Sequence, residues 1–490
     1  MSQSGCATKY NLMWFRSDLR VFDNPAFFSA ISQGPTIAIY IVSEGQWKIH
    51  GISPAKRALI LRQVQALHDE LEKLHVPLII LSADTFKVIP DVLGSFVQDY
   101  PIQKVFFNHE YEVNEQACSE HVLARLDTVG ILSAGYHDAC LIEPGIIRNK
   151  QGQPYKVYSA FKKAYIQNFS YHARSILNRP ETQQPVDISS DLSSLPTNFS
   201  DFEQLWPAGE DEAHDRLNRF LDDDIKHYNA KRDFPSDAAT SQLSPYLVIG
   251  AISTTQCMHA ALSLNHGSLS EGHQGISTWI NELIWREFYK HLIVDFPQLC
   301  RFKPFKPQTD RLPWKQDSEL FDAWKEGRTG FPIVDAAMRQ LKQTAWMHNR
   351  LRMVVAMFLT KHLFIDWRLG EAYFMSMLVD GDLAANNGGW QWSASTGVDA
   401  VPYFRIFNPT RQSQRFDQSG DFIRQYLPEL SSLDNKSIHM PSAQQAKALA
   451  YPLPIVDHSS AVAQTKCWFK RLSEPQVGED LFLAIDQEAV

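Results

Sequence analysis

The chain has 490 residues, of which 44% are hydrophobic and 21% charged, which excludes a disordered chain and leaves room for two or more domains with cores of their own. A formal net charge of −8 excludes a protein that coats nucleic acid over its whole surface, but it leaves a local basic patch possible. The six cysteines form no C-x-x-C pair and have no histidine at metal spacing, so they point to a reducing compartment and to no metal site.

The start, MSQSGCATKYNLMWFRSDLR, lacks the charged segment and long apolar run of a signal peptide. No uninterrupted apolar stretch reaches membrane-spanning length, so a cytosolic protein is expected. The runs YNLMWF (10–15), TIAIYIV (36–42), PLIILSA (77–83) and KVFFNHE (104–110) read as strands buried on both faces. Between them, residues 53–75 open on Ser-Pro and carry apolar residues at helical spacing. This alternation predicts a parallel α/β sheet of Rossmann-like kind, although no G-x-G-x-x-G follows the first strand.

Residues 176–200 are rich in Pro, Ser and Asp, lack periodicity and read as a long linker. The expected partition is an α/β domain over 9–140, an interdomain linker over 141–210 and an all-helical domain over 211–475. Beyond the linker, 277–296 reads as one helix and 332–367 as two. At 100° per residue, Trp279, Glu282, Trp285, Arg286 and Tyr289 fall within an arc of about 120°. The remaining positions of that helix, Ile280, Leu283, Ile284 and Phe288, are apolar, so the arc faces a cavity, a ligand or buried partners. A plain i,i+4 pair of Glu282 with Arg286 fits the same spacing.

Trp346, Asn349, Arg350 and Met353 form a second stripe, which suits a pocket wall or ordinary core. Thr240, Ser241 and Ser244 place three hydroxyls ahead of a helix-like pattern, which suits either a phosphate or an ordinary N-cap.

The segments WFRSDLRVFDN (14–24), YEVNE (111–115), KRDFP (231–235), TSQLS (240–244), WINELIWREFY (279–289), TGFPIVDAAMRQL (329–341), WMHNRLRM (346–353) and DGDLAANNGGWQW (380–392) together resemble the photolyase and cryptochrome family, in its bacterial class I cyclobutane pyrimidine dimer branch. The resemblance implies a helical domain that holds FAD, reduced and anionic when active, and light-driven electron transfer to a pyrimidine dimer. It places Tyr228, Thr240, Ser241, Gln242, Leu243, Ser244, Trp279, Arg352, Asp380, Gly381 and Asp382 on FAD, with an Arg352–Asp380 pair beside the flavin. Gln242 stands where many relatives have Arg or Gly.

The same resemblance sets Asn386 at the flavin N5, Glu282 on the damaged bases, and Trp285 and Trp392 against the flipped-out dimer. Trp390, Trp367 and Trp314 match an electron relay to the surface. Arg232, Arg286, Tyr289, Asn349, Arg350, Met353 and Gln412 match DNA or lesion contacts, with Arg411 and Arg415 close by. Asn114 and Glu115 match residues that hold a methenyltetrahydrofolate antenna, with His50, Cys300 and Arg301 nearby; a deazaflavin, or no antenna, is the alternative. Gly388 and Gly389 are expected to permit a turn between flavin-facing and lesion-facing parts. UV-damaged, mainly duplex DNA is the implied partner of a cytoplasmic monomer found at the nucleoid when bound. A cryptochrome signalling through protein partners is the alternative function, and Asn386 weighs against it.

Overall fold

The computed structural model describes residues 9–197 and 201–472; Cys6, residues 198–200 of the expected linker and residues 473–475 of the expected helical domain lie outside them. Five parallel strands, β1 (Tyr10–Phe15), β2 (Thr36–Val42), β3 (Leu78–Ser82), β4 (Ile102–Asn108) and β5 (Leu132–Tyr136), form one sheet in the order β3-β2-β1-β4-β5. Leu12 lies opposite Ile37 on one side and Val105 on the other, so β1 is central.

Every residue of β1 and β2 is buried, because helices cover both faces of the sheet. On one face Leu12, Trp14, Ile39 and Phe107 pack with Leu93 and Phe96 of the helix Ile89–Asp99 and with Val122 of the helix Val113–Thr128. Each such side chain contributes about 1.5–3 kcal/mol by leaving water. The helix Pro54–Lys73 begins where expected, with the Ser53 side chain accepting from the Lys56 N–H and Pro54 in its first turn.

The expected strands recur within about two residues, but β5 was not anticipated. Its residues are half or fully exposed at the sheet edge, so they show no buried run. The opposite edge is covered by the segment read as a linker: Ile80 donates to Asp191 O (2.8 Å) and the Asp191 N–H donates to Leu78 O (2.9 Å). The helix Tyr158–His172 also lies within 141–210.

The chain forms two compact units. One comprises the chain up to Phe302 with Arg339–Leu351 and Glu371–Gly389; the other comprises Lys303–Met338, Arg352–Gly370 and the chain from Trp390 on. In the second, Leu312, Phe364 and Phe469 form a small core flanked by Trp314, Tyr403 and Trp468. Lys361 is fully buried there, donating to Ala394 O (3.0 Å) and Ser395 Oγ (2.9 Å), and burial drives its pKa far down. No helix among the described residues is long and apolar enough to cross a membrane.

Candidate cofactor and nucleic-acid site

The loop 240–244 leads into a helix of only six residues, Ser244–Ile249, whose N-cap position, Leu243, makes no side-chain cap. The three hydroxyls therefore do not cap it. Ser244 Oγ instead donates to Asp380 Oδ2 (2.6 Å) and accepts from Trp346 Nε1 (3.4 Å), joining the TSQLS and DGD segments. Among the described residues the hydroxyls of Thr240 and Ser241 have no protein partner, and both residues are only half-buried. Accessible, unpaired donors on one loop fit the phosphate oxygens of a dinucleotide such as FAD. Trp279 and Tyr228 are buried around Phe220, at ring distances of 5.2 and 5.7 Å.

Asp382 Oδ1 caps the helix Leu383–Ala394 by accepting from the Ala385 N–H (2.9 Å). Asn386 Nδ2 donates to Glu371 O (3.0 Å), which fixes the amide's rotation and leaves its oxygen as the presented end. Its neighbour Asn387, which has no role on sequence grounds, donates to the buried Glu371 Oε1 (3.0 Å) and so anchors the same segment. Gly388 and Gly389 sit inside this helix and form no turn. The helix continues through both because packing outweighs their low propensity, and a Cβ on Gly388 would strike the Tyr289 ring.

The helix expected over 277–296 spans Gln274–Asp295, and its wheel is borne out in part. Ile280, Leu283, Ile284 and Phe288 are buried, whereas Glu282, Trp285 and Tyr289 are half-buried. Glu282 pairs with Arg232, 50 residues away, rather than with Arg286. Trp285 stacks face to face on Tyr158, with ring centroids 3.5 Å apart and planes within 7°. Tyr158 is itself held by donating to Asn281 O (3.0 Å).

Arg286 turns inward, donating to Ala139 O (2.5 Å) and Thr254 Oγ1 (2.9 Å). The structure thus separates it from Glu282 and Trp285. The stripe from Trp346 to Met353 is also interrupted: Ala345 has a φ of 55°, Trp346 precedes the helix, and Asn349 opens it. Asn349 is exposed, and Arg350 pairs with Asp233 (2.8 Å).

Beside this helix, within the same unit, lies a cavity of about 520 Å³, a size suited to a small molecule. Residues following β1 (Arg16, Asp18) and at or after the end of β4 (Asn108, Glu112) line it at the point where the strand order reverses. Open α/β sheets bind ligands there. His50, Asn114, Glu115, Cys300 and Arg301 all reach its wall, so the structure brings the expected antenna residues together. His50 Nε2 meets Asn114 Nδ2 (2.9 Å) and its Nδ1 meets Glu115 Oε1 (3.4 Å). Burial, then Glu112 and Glu110, push the Glu115 carboxyl up to about 8, while burial lowers His50. Both shifts favour the uncharged forms of these two groups.

Deeper in the wall, Lys290 Nζ lies 2.7 Å from Glu112 Oε1 and 2.8 Å from Asp382 Oδ2, and Lys56 donates to Gly381 O (2.7 Å). Burial opposes all the charges of this trio, but mutual pairing outweighs it. Lys290 is held charged and Asp382 well below the usual carboxylate range. Sequence reasoning missed Lys290, because a lysine on an apolar helix carries no sign of a partner such as Glu112, 178 residues away. Among the described residues the only cluster of metal-capable groups is Cys140, Glu287 and His291, all buried. Glu287 already accepts from the Leu141 N–H (3.0 Å) and His291 meets Ile142 O (3.0 Å), so these groups brace the chain after β5.

The second unit holds Trp314, Trp367, Trp390, Trp392, Arg352, Met353 and Gln412. Trp367 and Trp390 are buried, Trp314 and Trp392 half-buried. Trp390 meets the buried Trp324 edge-on at 6.1 Å, a tryptophan that sequence reasoning passed over and whose only signal is its place in FDAWKEG. Arg352, Met353 and Gln412 are half-buried, with Gln412 on the helix Pro409–Phe416.

The family model described as the FAD binding domain of DNA photolyase matches residues 279–471, and that described as DNA photolyase matches residues 11–184. The deoxyribodipyrimidine photo-lyase of Escherichia coli (strain K12) is 43% identical over 463 residues, covering 93% of this chain and 97% of that relative. A bacterial class III photolyase from Agrobacterium tumefaciens has a TM-score of 0.83 at 35% identity, covering 96% of this chain and 99% of that one. A cryptochrome from Synechocystis has a TM-score of 0.82 at 26% identity, covering 94% of this chain and 99% of that one. The chain belongs to the DNA photolyase family.

Proposed function

We infer that this chain is a light-dependent DNA-repair lyase, a deoxyribodipyrimidine photo-lyase that splits cyclobutane pyrimidine dimers. The observation that carries the reading is the grouping, in one unit, of unpaired loop hydroxyls, the Ser244–Asp380 link, an oriented Asn386 amide and the open Glu282–Trp285 face. When bound and reduced, FAD would supply light-driven electron-transfer chemistry to the dimer with no net redox change. Thr240 and Ser241 hold its phosphates. Asn386 offers an oxygen to N5, and an amide there has no labile acidic proton to give, which favours the anionic reduced form.

Glu282 hydrogen-bonds the damaged bases, and Trp285, braced by Tyr158, supplies a flat wall for the flipped-out dimer. Asn349, exposed in the same unit, offers the lesion a further hydrogen-bonding amide. Arg232 and Arg350 contact the DNA backbone, giving salt-dependent affinity without base readout. Arg286, turned inward, serves the cavity wall instead. Light-driven loss of dimers from duplex DNA by the photoreduced protein, beyond the dark control, is the expected result. No such loss would favour the sensor reading that the cryptochrome likeness keeps open.

The cavity at the strand ends is read as the antenna site, with methenyltetrahydrofolate held by Asn114 and the neutral Glu115. A near-ultraviolet absorbance band is expected that Asn114→Ala removes while light-driven repair persists. An unchanged band would count against the site.

A further inference from the structure

Gln242 has a φ of 49°, a left-handed conformation that a residue with a β-carbon adopts at a cost and that glycine adopts freely. Something must hold it there. Arg216, on the helix Glu210–Arg219, reaches the back of the loop with its whole guanidinium engaged. Nη1 donates to Gln242 Oε1 (3.4 Å), Nη2 to Leu205 O (3.1 Å) and Nε to Glu212 Oε1 (2.6 Å). It also lies 5.3 Å from the Trp206 ring centroid and 5.2 Å from that of Tyr246. Tyr246 follows the loop by two residues and is fixed in turn by donating to Pro207 O (2.8 Å).

We propose that Arg216 is a positioning residue for the cofactor, clamping Gln242 and Tyr246 from behind and presetting the Thr240–Ser244 loop to receive the phosphates of a dinucleotide. The proposal rests on the reading of that loop as the phosphate site. Glu212 neutralises the guanidinium, so Arg216 acts through shape: a planar fork with two ring-stacking faces, which lysine does not provide. A glycine at position 242 would need no clamp.

The test is a double-mutant cycle read by FAD dissociation, followed through the fluorescence of released flavin. Arg216→Met is expected to weaken FAD about tenfold when Gln242 is present and less than about twofold in a Gln242→Gly background. Arg216→Lys should behave like Arg216→Met. Circular dichroism and thermal melting of the flavin-free protein check folding, and if Arg216→Met fails to fold, Arg216→Lys in the two backgrounds carries the test. An equal loss in both backgrounds, or no loss, overturns the clamp. Unchanged FAD affinity in Thr240→Val with Ser241→Ala would remove the loop itself from the cofactor site, a different failure that takes the proposal with it.

Discussion

On the inward side of the helix Gln274–Asp295, Lys290 lies within 2.8 Å of two carboxylates with only 8% of its side chain exposed, whereas on the outward side Glu282 and Arg232 pair at 30% and 22% exposure. The two pairings use the same chemistry for opposite ends. The inner trio is fixed: removing its cation leaves two acids side by side in the cavity wall, largely withdrawn from water, without their partner charge. The outer pair is half in water, so its partners can exchange each other for DNA at little cost. One helix thereby separates a rigid wall, which holds a pocket's shape, from a face whose side chains are free to meet a substrate.

The contrast can be broken from either side. The largest effect is expected from Lys290→Met, which leaves the half-buried Glu112 and Asp382 without their cation and should lower stability by about 3 kcal/mol in denaturant unfolding at neutral pH. Lys290 depresses the Asp382 pKa, so this stabilisation is complete above the ordinary carboxylate range and is lost only as pH falls on from there through the depressed folded value. A loss that stays as large below that depressed value as at neutral pH would mean that packing, not charge, explains the effect. Next comes Trp285→Ala, which removes the ring that Tyr158 braces and should weaken binding of dimer-containing DNA by about 1–3 kcal/mol. Binding of undamaged DNA, measured by anisotropy on the same protein, should change much less. Equal weakening of both would show that Trp285 serves the fold rather than the lesion.

Much of this was legible in the sequence, and the failures have physical causes. β1 and β2 announce themselves as unbroken apolar runs because both of their faces are covered. β5 does not, because an edge strand half in water needs no such run. The helical wheel found Glu282, Trp285 and Tyr289 since it fixes where each Cβ points. It misled for Arg286, whose long side chain reaches back past its own Cβ direction to Ala139 O and Thr254. The stripe through Trp346 failed because Ala345 takes a left-handed conformation that ends one helix before the next begins. Lys290 and Arg216 were invisible for another reason: their roles come from partners that only the fold brings near.

The open face of this helix acts on the lesion while the cofactor is held elsewhere. The yield of light-driven dimer splitting per absorbed photon, compared between Glu282→Ala and wild-type protein at equal FAD content, distinguishes the two roles. The account predicts that Glu282→Ala keeps its FAD and loses about two- to tenfold in yield, the scale of one charge-assisted hydrogen bond partly replaced by water. An undiminished yield, or FAD lost along with it, would contradict it.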